Sequence, residues 1–153
     1  MISDLISRQK NDWVRDITAL GSLFFYIFLM VLFLLLKNYS LFSKLLFGLL
    51  IIYMIAILFR TFLFRERPEK IKHDSYIEKL DAASFPSLHA SRTAFMAAML
   101  MKFFNNYIIS ILLVLIGLSI AYSRIYLKKH DIKDVMAGIV LGIFVYFIMN
   151  FFI

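Results

Sequence analysis

Apolar residues fall into five long blocks, separated by short polar stretches of very unequal character. The blocks cover residues 17–36, 41–64, 88–104, 107–126 and 135–153. Each has or approaches the length of about 20 residues that an α-helix needs to cross a bilayer. No alternating apolar and polar pattern of the kind that builds a barrel is present, so helices are the spanning elements. Residues 37–40 and 105–106 read as tight turns, whereas 65–87 and 127–134 are charged and rich in His, Arg and Asp. Five spans place both charged loops on one membrane face, with the two tight turns and the C-terminus on the other. Upstream, Leu5, Ile6, Trp13, Val14 and Ile17 recur at roughly helical spacing among charged residues. Residues 1–16 are therefore expected to form an amphipathic helix in the interface, with Trp13 as its anchor and no signal-peptide pattern. The expected fold is an all-α integral membrane bundle of about five transmembrane helices within a single domain, residues 1–153.

Composition agrees with that pattern. Hydrophobic residues make up 62% of the 153, more than a soluble domain of this size can bury. The formal charge is +7. Most lysines sit at span ends, where headgroup contacts account for them. The basic residues lie between apolar spans and not on a soluble face, which argues against nucleic-acid binding. With no cysteine, disulfides, thiolate catalysis and zinc–cysteine sites are excluded. No internal repeat stands out.

The ionisable residues that flank the spans are less easily explained. Arg60, Arg67, Ser87, His89, Arg92, Arg124, His130 and Asp134 all fall at or near one membrane face. Ionisable groups beside a span are costly and usually functional. Snorkelling accounts for any single arginine, but not for two histidines, an aspartate and four arginines arriving from four helix ends. Arg60 and Arg67 are two helical turns apart and form a fork for phosphate if the helix persists that far. Pro68 argues that the chain leaves the helix near Arg67. Ser87 fits the N-cap of the third span, which points the N–H groups of Leu88 and His89 outward as an anion site. His130 and Asp134 are four apart and share a helical face. There the carboxylate fixes the imidazole tautomer and leaves the other ring nitrogen to attack.

Together these stretches resemble the type 2 phosphatidic acid phosphatase family. Its pattern is Lys-x6-Arg-Pro, then Pro-Ser-Gly-His, then Ser-Arg-x5-His-x3-Asp. The third motif is complete here in Ser123, Arg124, His130 and Asp134. The second reads Pro86-Ser87-Leu88-His89 and the first Arg60-x6-Arg67-Pro68, so Leu88 replaces Gly and Arg60 replaces Lys. The resemblance implies that His130 attacks phosphorus to give a phosphohistidine, that Asp134 orients it, and that His89 protonates the leaving group. It implies that Arg60, Arg67, Ser87, the Leu88 N–H and Arg124 hold the phosphoryl oxygens. Neither a metal nor another cofactor is implied. The partners are the bilayer and a membrane lipid phosphate: phosphatidic acid, phosphatidylglycerol phosphate or a polyprenyl diphosphate such as undecaprenyl diphosphate. The family also points to an active site on the extracytoplasmic side of the cell membrane, against a naive count of positive charges. Two alternatives use the same residues: phosphoryl transfer to a second lipid, and phospholipid binding without catalysis. Oligomeric state leaves no mark in the sequence.

Overall fold

The computed structural model describes residues 12–65, Glu78, Leu80 and 82–152. Five helices carry the architecture: α1 (Leu23–Leu35), α2 (Tyr39–Phe62), α3 (Leu88–Phe104), α4 (Tyr107–Tyr126) and α5 (Ile132–Phe152). A further helical stretch, 12–19, leads into α1 through a turn at 20–22. Ser22 restarts the helix by accepting the Phe25 N–H, 3.1 Å, so the expected first span of 17–36 is interrupted at Gly21. Most of the expected interfacial helix lies outside the described residues; of its anchors, Trp13 is exposed.

The expected spans 88–104 and 107–126 coincide with α3 and α4, whereas α2 begins and ends two residues earlier than expected and α5 begins three residues earlier, for reasons visible at the caps. Asn38 caps α2 through Leu41 N–H and Asn106 caps α4 through Ile108 and Ile109 N–H. Helix α5 begins at Ile132 and not 135, because Asp131 acts as its cap residue. The Asp134 carboxylate reaches back to the Asp131 N–H, 3.0 Å, one half of a capping box. At its far end α4 closes in a Schellman arrangement: Lys129 N–H bonds Arg124 C=O and Lys128 N–H bonds Ile125 C=O, with Lys128 left-handed at φ 53°.

Among the described residues four stretches are long and apolar enough to cross a membrane, 12–35 and helices α2, α4 and α5. At 17 residues α3 is shorter and is wrapped by the others. It packs most closely on α5, where two glycines remove the side chains that would hold the helices apart. A Cβ at Gly138 would meet Ser87 C=O at 2.5 Å, and one at Gly142 would meet Ser91 C=O at 2.3 Å. The constant offset shows the two helices running parallel. Tyr26, Leu45, Ile52, Phe95 and Val145 form the dry core between them. Phe24, Phe28, Leu50, Leu58, Leu112, Leu115, Phe144 and Phe147 are exposed on the outside, which suits hydrocarbon and not water. The chain is an integral membrane protein with an all-α bundle.

Candidate active site

The end of α2, the start of α3, the end of α4 and the start of α5 meet on one face. Between them opens a cavity of about 480 Å³, lined by Arg60, His89, Arg92, Arg124, His130 and the backbone-bearing Leu88, with Tyr53, Ala56, Ile57 and Leu80 completing the wall. Three arginines and two histidines therefore share a single opening.

His130 is delivered by the Schellman turn. Its backbone N–H bonds the Arg124 carbonyl, 3.3 Å, so the end of α4 fixes both Arg124 and His130. The His130 side chain is buried except where it meets the cavity. Its Nδ1 faces Asp134 Oδ2 at 3.9 Å. That is an ion-pair separation longer than a hydrogen bond. Such contacts often tighten once a substrate is bound. Asp134 is fully buried, and its carbonyl accepts the Ser87 N–H, 3.0 Å, which ties α5 to the start of α3.

Asp134 has a partner that spacing alone did not reveal. Arg65 Nη1 donates to Asp134 Oδ1, 2.9 Å, and Arg65 Nη2 to Asp131 Oδ2, 2.6 Å. The Arg65 carbonyl also accepts from Ser84, N–H 2.8 Å and hydroxyl 3.2 Å. One residue just beyond α2 thus links the His130 loop to the segment that enters α3. The only sequence clue was a pair of acids, Asp131 and Asp134, with one obvious task between them.

Arg60 is buried, and donates to Leu80 C=O, 2.8 Å, and to Pro86 C=O, 3.4 Å, so it braces the long connection as well as facing the cavity. Arg124 Nη1 reaches Thr18 Oγ1, 3.3 Å, and Thr18 pairs with Ser123 at 2.7 Å, which brings the 12–19 helix against the site. Ser87 departs from expectation. It is the backbone N-cap of α3, but its side chain makes no cap bond. Its Oγ is buried and has no hydrogen-bond partner among the described residues, and Ser87 is not part of the cavity lining. Arg67 lies outside the described residues; the helix that carries Arg60 ends at Phe62. Leu88 and His89 open α3 at the cavity, its N–H groups unsatisfied by helix. Among the described residues no cluster of His, Cys, Asp and Glu is arranged to hold a metal ion.

The model of the PAP2 superfamily matches residues 41–152, a stretch that contains every one of these cavity residues. The chain belongs to the PAP2 superfamily. Two solved structures are similar in fold. The crystal structure of Aquifex aeolicus LpxE aligns with a TM-score of 0.78 at 21% identity, over 94% of this chain and 87% of that one. A transmembrane PAP2 type phosphatidylglycerolphosphate phosphatase from Bacillus subtilis aligns with a TM-score of 0.65 at 26% identity, over 94% and 76%. Within the PAP2 superfamily this chain is a membrane phosphatase.

Proposed function

We propose that this PAP2 phosphatase hydrolyses the phosphate of a membrane lipid through a phosphohistidine on His130. The observation that carries this is the shared cavity, which His130 and His89 both line together with Arg60 and Arg124. With Nδ1 turned to Asp134, Nε2 is the nitrogen left to attack. The N–P bond forms as the P–O bond to the lipid breaks, and His89 supplies the proton to the departing oxygen. Water then attacks phosphorus, the N–P bond breaks and inorganic phosphate leaves. Arg60, Arg124 and the N–H groups that open α3 stand where charge grows on the phosphoryl oxygens; Arg67 and Ser87 belong to the same proposed set. The guanidinium groups supply the positive charge, so the reaction needs no metal.

The surroundings support a lipid substrate. The cavity's apolar side is formed by Ala56 and Ile57, and Ile57 is itself exposed toward the membrane. A lipid can present its phosphate there while its tail stays in hydrocarbon. Phosphatidic acid, phosphatidylglycerol phosphate and polyprenyl diphosphates are the expected classes, with the active face on the extracytoplasmic side. The test is phosphate release by purified protein in detergent from a panel of lipid phosphates, beside glucose phosphate. Long-chain lipids should be far better substrates, since each buried methylene contributes roughly 0.8 kcal/mol. Equal efficiency on glucose phosphate would overturn the lipid assignment.

A further inference from the structure

Arg92 has no task in the mechanism above, yet it is placed at great cost. It sits one turn inside α3 and is only 4% exposed. Its Nη1 donates to the Tyr53 hydroxyl, 2.7 Å, and its Nη2 to the Gly21 carbonyl, 3.1 Å, with the guanidinium 5.9 Å over the Tyr53 ring. A guanidinium has five N–H donors; these bonds use two. Its Nε is buried with no hydrogen-bond partner, and no carboxylate pairs with it among the described residues. An arginine serving only to brace the turn at Gly21 would be expected to have its donors matched, because an uncompensated buried cation in a membrane is expensive. This one instead lies on the wall of the substrate cavity.

Its depth shows what it can meet. Arg92 follows His89 by three residues, so the two share a helical face and Arg92 lies about 4.5 Å deeper in the bundle. On the facing wall, Tyr53 precedes Arg60 by seven residues, about 10 Å along α2. The cavity thus has one group of cations at its mouth and another cation at its floor. A terminal phosphate at the mouth is served by Arg60, Arg124 and the start of α3, and leaves the floor charge unmet.

We propose that Arg92 receives a second phosphate, carried by the substrate on the tail side of the scissile one, and so selects lipids with two phosphates over lipids with one. This rests on the phosphatase reading of the same cavity. In a lipid diphosphate the bond that breaks joins the terminal phosphorus to the bridging oxygen. His130 Nε2 takes the phosphoryl group, and the electron pair stays on the bridging oxygen of the departing lipid monophosphate. Charge grows there beside Arg92, which therefore acts on the leaving group as well as on binding. Phosphatidylglycerol phosphate also carries a tail-side phosphate, but through a glycerol spacer.

The experiment compares kcat/KM for matched pairs: a prenyl diphosphate against the monophosphate of the same chain, and phosphatidylglycerol phosphate against phosphatidic acid of the same acyl composition. Arg92→Gln should lower the rate on the two-phosphate member by roughly 10- to 100-fold, the loss of a charge-assisted contact. The single-phosphate member should stay within about twofold. The pair that shows the selective loss identifies the source of the second phosphate. Equal losses on both members, or none on either, overturn the proposal. Arg92→Lys keeps the charge but not the fork, and should retain an intermediate preference if the glutamine variant does not fold. A separate readout needs no turnover: thermal stabilisation by inorganic pyrophosphate against orthophosphate. Wild type should respond at lower pyrophosphate concentration, and the Arg92 variants should lose that difference. If no lipid is hydrolysed, the phosphatase reading fails while the pyrophosphate comparison still decides the Arg92 site; no difference in wild type overturns it.

Discussion

At the scale of single residues, the proposed chemistry rests on how His130, the proposed nucleophile, is held. Replacing His130 by Ala should abolish turnover while leaving a folded, extractable protein. Rapid acid-free quenching of wild type with labelled substrate should trap phosphate with the acid lability of a phosphohistidine. Label recovered on serine or carboxylate would exclude the mechanism. Arg65 gives a subtler prediction. It holds Asp134 Oδ1 while Asp134 Oδ2 faces His130, so it acts on the nucleophile only through the carboxylate. Arg65→Ala should reduce kcat by about 10-fold or more with KM nearly unchanged, and Arg65→Lys should recover part of it. A rise in KM alone would show that Arg65 contacts substrate instead. The meeting of His130, His89 and Arg124 at one cavity, with Asp134 beside His130, was legible because it follows from spacing along a helix or across one turn. Arg65 was not, because its partners lie 66 and 69 residues away in sequence. Ser87 was legible as a helix start, but the absence of a cap bond from its hydroxyl was not.

At the scale of elements, five apolar blocks gave five helices, since a span's length and hydrophobicity are local properties. The ends of the second block and the start of the fifth were less legible because this chain does not mark turns with glycine. None of its five glycines has positive φ; Lys37, Asn105 and Lys128 take the left-handed positions instead. The glycines serve close packing, notably at Gly138 and Gly142. Gly142→Leu should therefore force α5 away from Ser91 and lower thermal stability by several degrees. Because α5 carries Asp134, activity should fall further than stability alone explains. A variant with unchanged melting and unchanged turnover would mean the seam is looser than its backbone contacts indicate. Lys128→Gly makes the opposite case. It removes the strain of a left-handed lysine, of order 1 kcal/mol, and should raise the melting temperature without loss of activity, provided the Lys128 side chain is dispensable.

At the scale of the whole molecule, the 12–19 helix, the end of α2, the segment 82–87 and the turn 127–131 lie together on one face. Single-cysteine variants Ser75→Cys and Ser40→Cys, probed with an impermeant reagent in intact cells, should label at position 75 alone if the active face is extracytoplasmic. Labelling at position 40 alone would reverse the orientation. The bundle's remaining lesson lies in how the start of α3 is tethered. Ser87 N–H bonds the carbonyl of Asp134 in the first turn of α5, so the two helix starts form one rim beside the cavity. A bilayer surrounds that rim with phosphodiester headgroups, which vastly outnumber free phosphate ends. A phosphodiester carries one negative charge fewer than a terminal phosphate and has one more oxygen esterified, so it offers the cations at the rim less to hold. Bulk phosphatidylethanolamine should therefore be neither cleaved nor an effective competitor, and the catalyst can work at full rate in a medium that would otherwise saturate it.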